Sequence, residues 1–201
     1  MNFEIIDNVF QIILLLICGG VSMVFAVTHR SRLILILSLF YTCFSLGTLY
    51  FVLHVFITGM APQIFYVSEI SWIASYAFLL SFQILRSDGI KITFSPIAAV
   101  LTFAYVAVAL ERQFMLYVTP LFVPAVGSAL YLSLYRIIKY RKNRAIDVCM
   151  VICLYLQFSL YMSSLFIRDF DDFNLYFAID FALSASLATL LPLSIREVLE
   201  K

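Results

Sequence analysis

Three ionisable side chains fall inside long apolar runs of this sequence: two acids, Glu69 and Asp180, and an imidazole, His54. A charge within hydrocarbon costs roughly 3 kcal/mol or more and faces protein or water, so each of the three marks a candidate site. At about 100° per residue, Ser68, Glu69, Ser71, Trp72, Ser75 and Tyr76 share one side of a helix, and Gln83 continues it. Ile70, Ile73, Ala74, Ala77 and Leu80 take the other side. Tyr176, Asp180 and Ser184 stack four apart on one face, and Gln157, Tyr161 and Ser164 form a similar stripe. Together they describe an outward-opening pocket with Glu69 and Asp180 as its charged pair and His54 as a titratable neighbour. Trp72, Tyr76, Tyr176 and Tyr161 would be its walls, with Gln157 and Ser184 as further polar lining. For the serines and Gln157 interhelical hydrogen bonding is the favoured reading. The acids differ, because no lysine or arginine inside the apolar runs offers them a counter-charge. A fourth ionisable residue, Asp147, follows Arg144 by three residues, and there the expectation is a carboxylate that reaches the headgroups or pairs with that arginine.

The elements that must carry these residues follow from the composition. The 201-residue chain is 64% hydrophobic and 12% charged, with a mean hydropathy of +1.03, far from the balance of a water-soluble domain. Apolar runs of about twenty residues fit membrane helices and not the alternating strands of a membrane barrel. The reading is an all-α polytopic integral membrane protein, one transmembrane domain over residues 1–201. Its seven helices are expected near 9–27, 33–58, 64–85, 92–110, 114–135, 145–167 and 175–195. Glu4 and Asp7 precede the first run where a cleavable signal would be basic, so that run is read as a permanent span.

Lysine and arginine stay on the cytoplasmic side during insertion. One set of loops holds Arg30, Arg32, Arg86, Lys91, the cluster Arg136–Arg144, Arg196 and Lys201, eleven of the thirteen basic residues. The other set holds Arg112 and Arg168 beside Glu111, Asp169, Asp171 and Asp172. This places the N-terminus outside and the C-terminus in the cytoplasm of a multi-pass protein of the cell membrane. Helix 4, with Pro96 near its start, is needed for that result: six spans would put the basic cluster outside. By the same geometry His54, Glu69 and Asp180 share a depth of about 6–8 Å below the outer edge, at 1.5 Å per residue. Helix 3, with the widest polar arc, is expected to be the most central. Most of the twenty Phe and twelve Tyr are expected to face lipid or its interfaces. Gly19-Gly20 and Gly127-Ser128-Ala129 read as close-packing positions, and Pro120 and Pro124 as tolerated interruptions of helix 5.

Several chemistries are excluded. The topology matches heptahelical light sensors, but those hold retinal on a lysine inside the last helix, and Lys91, Lys139, Lys142 and Lys201 all lie in loops or the tail. His29 and His54 fall at opposite faces, which disfavours a haem held between them. Zinc lacks a His/Glu pair at helical spacing, and no hydrolase serine motif is present. Cys18, Cys43, Cys149 and Cys153 lie inside apolar runs and are expected as free thiols. The segment Asp169–Asn174 lacks the glycine and terminal glutamate of a calcium loop and reads as a solvated acidic turn. No cofactor is implied.

The expected function is a small transport protein whose acidic pocket takes a small cationic or proton-coupled solute. The alternative is a heptahelical ligand sensor signalling through its basic cytoplasmic loop, and a third reading is an intramembrane enzyme using a Glu/Asp pair. The fitting partners are the lipid bilayer, a small cation or proton, a cytoplasmic protein docked at Arg136–Arg144, and a second copy of the chain in a homo-oligomer. Nucleic acid is not among them. The topology predicts that a cysteine placed at Asp171 reacts with an impermeant thiol reagent on intact cells and one placed at Lys139 does not. The reverse pattern would sink this orientation.

Overall fold

Lipid offers a peptide group no hydrogen-bond partner, so a chain this apolar must close its backbone bonds within each segment. The computed structural model describes residues 3–59, 67–112, 119–140, 144–164, 166 and 173–200, and every regular element among them is helical. In order these are α1 (Phe3–Thr28), α2 (Arg32–Thr58), α3 (Val67–Arg86), α4 (Pro96–Arg112), α5 (Thr119–Lys139), α6 (Arg144–Ser164) and α7 (Leu175–Leu199). Six of them, with α5 taken from Leu121, are long and apolar enough to cross a membrane; the apolar part of α4, Pro96–Val108, is shorter. Arg168, Asp169, Asp171 and Asp172, the basic residues Arg141 and Lys142, and the expected helix ends at Ile64, Phe114 and Ile167 lie outside the described residues.

Around the bundle, α1 packs against α2, α2 against α3, α3 against α5, α5 against α6, α6 against α7, and α7 back against α1. The result is a closed ring of six helices, with α4 outside it against α5 and a lesser contact of α2 with α7. Contacts between helix ends fix the directions. Gln11 near the start of α1 meets Asp180 near the start of α7 and Thr48 on the last part of α2. Arg86 at the end of α3 meets Asp147 at the start of α6 and Glu197 at the end of α7. These meeting points define an Asp180 end and an Arg86 end of the bundle.

Each ring helix sends a fully buried side chain inward: Leu15, Tyr41, Leu79, Leu130, Leu154 and Leu187. Against lipid such burial gains little hydrophobic free energy, so dense packing and polar contacts must hold the ring. Tyr41 supplies one of these contacts, its hydroxyl donating to the Leu187 carbonyl at 2.7 Å. Most of the described Phe and Tyr are exposed or half-buried, and a minority turn inward. Phe56 and Phe103 face outward, 78% and 73% exposed, but Phe40, Tyr41, Phe44, Tyr76 and Phe82 are buried. Edge-on contacts join Phe44 to Tyr76 at 6.2 Å and Tyr76 to Phe122 at 5.0 Å. Flat rings with attractive edges fill the irregular space inside a six-helix ring.

Helix α3 packs along α2 and α5, and its side chains reach further: Trp72 bonds to α2, Gln83 to α5, Tyr76 to α6, and Arg86 to both α6 and α7. Ser75 and Ser81 instead donate to carbonyls of their own helix, Trp72 and Ala77. The sidedness of α3 does follow the sequence, with Ile70 56% exposed and Tyr76 3% exposed.

Two boundary shifts matter for the site. Helix α1 begins at Phe3 and not near Val9, because Asp7 and Gln11 are buried in the ring. Helix α7 runs to Leu199 because Glu197 is likewise buried. Helix α4 starts at Pro96, a residue without an N–H that suits a first turn, and Ala99 N–H closes on the Ser95 carbonyl at 2.9 Å. Ser31 caps α2, accepting from Ile34 N–H, and Gly59 ends it at φ +70° with its N–H on the Val55 carbonyl. Asn174 caps α7 through Tyr176 N–H at 2.9 Å.

Helices α2 and α3 come close at Gly47, where an added Cβ would sit 2.8 Å from Trp72 Cδ1 and 3.0 Å from the Ser68 carbonyl oxygen. The missing side chain lets the indole lie flat against α2. Gly47→Ala should therefore destabilise the protein by about 1–3 kcal/mol through overpacking and shift the fluorescence of Trp72, the sole tryptophan. Gly20→Ala, which meets nothing within 4 Å, is the control and should leave melting temperature and emission unchanged.

Candidate functional site

On α7 the four-residue spacing puts Asp180 and Ser184 on one face, and on α1 the same spacing aligns Asp7 with Gln11. Because α1 packs against α7, the two rungs meet inside the Asp180 end. Asp7, Gln11, Asp180 and Ser184 are all at most 5% exposed. The Gln11 amide donates from Nε2 to Asp180 Oδ1 at 2.8 Å and to Ser184 Oγ at 3.1 Å. Its Oε1 accepts from Thr48 Oγ1 at 3.1 Å, and Trp72 Nε1 donates to Thr48 Oγ1 at 3.3 Å. Four helices thus contribute to one polar chain. The carboxyl of Asp7 lies within hydrogen-bonding reach of that of Asp180, and Asp7 Oδ2 is buried without a hydrogen-bond partner. Among the described residues no lysine, arginine or histidine pairs with either acid.

The residues singled out by sequence are distributed as follows. Asp180 and Ser184 lie in this cluster, with Trp72 at its edge. Tyr76 reaches across the ring from α3 and donates to Gln157 Oε1 on α6 at 2.5 Å. Tyr176, one turn before Asp180, and Tyr161 are half-buried. Glu69 is half-buried in the first turn of α3, a helix that borders α2 and α5 and not α7 in the ring. His54 is half-buried on α2, its ring 6.0 Å from that of Tyr50. The acid in contact with Asp180 is therefore Asp7, which the sequence reading passed over as a terminal residue. The Asp7/Gln11 spacing was the available signal.

A second cluster occupies the Arg86 end, and it corrects the reading of Asp147. This residue is fully buried and pairs with Arg86 and Arg136, not with Arg144, which is exposed. Arg86 Nη1 meets Asp147 Oδ1 at 2.6 Å, and its Nε and Nη2 meet Glu197 Oε2 at 3.0 and 2.8 Å. Arg136 Nε reaches both Asp147 oxygens at 3.2 Å, and its Nη1 donates to the Arg86 carbonyl at 2.8 Å. Gln83 completes the cluster, donating to Ser133 Oγ at 2.7 Å and accepting from Arg86 Nη1 at 2.9 Å. An arginine that looked like a loop marker of orientation is pulled inside because α6 and α7 each turn a carboxylate toward it. Among the described residues the cluster's two guanidinium groups and two carboxylates sum to zero formal charge.

Elsewhere, α3, α4 and α5 border an open apolar groove of about 830 Å³ with Leu80, Phe103, Val106 and Val123 in its walls. It contains neither acid cluster. The four cysteines are free thiols, and among the described residues no group of three His, Cys, Asp or Glu side chains could hold a metal ion.

Removing one partner of a buried ion pair strands the other, at a cost of roughly 3–5 kcal/mol. Arg86→Met removes the guanidinium that Asp147 and Glu197 share, leaving Asp147 with Arg136 alone, and should cause the larger fall in thermal stability. Glu197→Gln should cost less, because Asp147 still neutralises part of the guanidinium charge. Equal melting temperatures for both variants and the parent protein would show that the cluster contributes nothing to the fold.

The chain matches no protein-family model, and no curated protein or solved structure is similar to it.

Proposed function

We propose that this protein is a seven-span cell-membrane transporter, N-terminus outside, whose acidic site at the Asp180 end takes a small cationic or proton-coupled solute. The observation that carries the reading is the contrast between the two clusters. At the Arg86 end every buried charge has an opposite charge beside it. At the Asp180 end two buried carboxyls lie together with no cationic side chain paired to them among the described residues. Uncompensated acids inside a membrane are costly and belong to ion and proton pathways. The missing positive charge is supplied by what binds.

The orientation draws on the basic residues. Arg30, Arg32, Arg86, Lys91, Arg136, Lys139, Arg144 and Arg196 all belong to the Arg86 end, the expected cytoplasmic side. Direction supports the seventh span: α3 finishes at the Arg86 end and α5 starts at the other, which fits α4 carrying the chain across. In this reading Asp180, Asp7 and Ser184 bind the solute, while Trp72, Tyr76, Gln157, Tyr161 and Tyr176 shape the space between helices. Glu69 and His54 attract cations at the outer mouth.

A sensor reading has one observation in its favour. Arg136 opens the basic segment Arg136–Arg144 and is also bonded into the cluster that joins α3, α5, α6 and α7. A shift of those helices would reach a cytoplasmic partner through it.

Uptake of radiolabelled sodium, rubidium and methylammonium, together with proton flux, into proteoliposomes of the purified chain separates the two. Transport predicts flux above empty liposomes for at least one of these, lost in a folded Asp180→Asn variant and retained in Lys139→Ala. Absence of all flux would overturn the transport reading and leave the sensor.

A further inference from the structure

The hydrogen-bond directions around Asp180 leave one hydrogen unaccounted for. Gln11 uses both amide hydrogens, on Asp180 Oδ1 and Ser184 Oγ. Trp72 uses its single indole hydrogen on Thr48, and the Thr48 hydroxyl hydrogen points to Gln11 Oε1 or to the Phe44 carbonyl. None of these is aimed at Asp7. Asp7 Oδ2 is nevertheless buried and accepts no hydrogen bond, and the group its carboxyl meets is another carboxyl, that of Asp180. Two acceptors pressed together away from water repel unless a positive particle lies between them. At hydrogen-bonding reach that particle is a proton.

We infer that Asp7 and Asp180 form an acid dyad that binds a single exchangeable proton, held between α1 and α7. As the identity of the coupled ion this rests on the transport reading above; as a statement about hydrogen bonds it stands apart from it. The surrounding titratable groups fit a site that gains and loses that proton from the Asp180 end. Glu4 lies one turn before Asp7 on α1 and Tyr176 one turn before Asp180 on α7, both half-buried and close enough to feel the pair. Tyr76 on α3, bonded to Gln157, is near enough to feel the charge of Asp180, α2 offers Thr48 with His54 farther along the same helix, and Glu69 lies in the first turn of α3. A chain already directed from Trp72 through Thr48 and Gln11 fixes Asp180, so loss of the proton sets Asp7 and Asp180 repelling along the α1–α7 seam.

The test is infrared difference spectroscopy of the full chain in liposomes, titrated with acid and base in light and heavy water. The expected result is the C=O stretch of a protonated carboxylic acid, with the amplitude of one group per chain, shifting on deuteration. Asp7→Asn and Asp180→Asn should each fold and each lose the band, because an asparagine amide supplies the missing hydrogen to the remaining carboxylate. A second measurement covers variants that fail to fold: dicyclohexylcarbodiimide, which adds across the O–H of a protonated buried carboxyl, should modify Asp7 or Asp180 of the wild type, at most one per chain by mass spectrometry. No band in the wild type at any pH where it is folded, a band surviving in a folded Asp7→Asn/Asp180→Asn double variant, or no carbodiimide adduct at either residue would overturn the dyad. A band without cation or proton flux keeps the dyad and removes the transport reading; flux without a band does the reverse.

Discussion

Inside this bundle a polar group has no water to fall back on, and each side chain that can donate or accept must find its partner on another helix or on its own backbone. The ring of six helices is arranged around that constraint. Leucine packing alone would not choose between arrangements, since leucine is nearly as well solvated by lipid as by protein. What distinguishes this arrangement is that Tyr41 reaches the Leu187 carbonyl, Tyr76 reaches Gln157, and Arg86 reaches two carboxylates at once. Each of these contacts joins helices far apart in sequence.

The two buried clusters answer the same constraint in opposite ways. At the Arg86 end, charges balance among themselves, and the cluster ties α3, α5, α6 and α7 together. Such a pairing is expensive to break and gains little over an apolar replacement, so its main effect is to fix which helices meet and in what register. At the Asp180 end the hydrogen-bond chain from Trp72 to Asp180 is complete, yet the pair it serves is not neutralised by any described cationic side chain. One end carries its own counter-charges, and at the other the two buried acids have none among the described side chains.

Close approach between helices is the condition for both. The absent side chain of Gly47 lets Trp72 lie against α2 and reach Thr48. Early entry of the chain into α1, at Phe3, lets Asp7 and Gln11 run alongside α7. A bundle even an ångström looser would lose the Gln11 bonds and leave Asp180 without a donor.

Much of the architecture is legible in the sequence by itself. The apolar runs set the helices, the loop charges sort the two ends, and local periodicity fixes faces: Tyr76 inward with Ile70 outward, Asp180 in line with Ser184. These properties depend on a residue and its neighbours within a turn or two, where the helix repeat is a rigid rule. Which helices stand side by side depends instead on packing between distant segments. Only the tertiary structure set α1 against α7, giving Asp180 the neighbour Asp7, and drew Arg86 and Arg136 onto Asp147 where Arg144 was nearer in sequence. A basic residue at a helix end reads the same whether it faces headgroups or a buried carboxylate, because the sequence records its position along the helix axis, while its partner depends on how the whole ring closes.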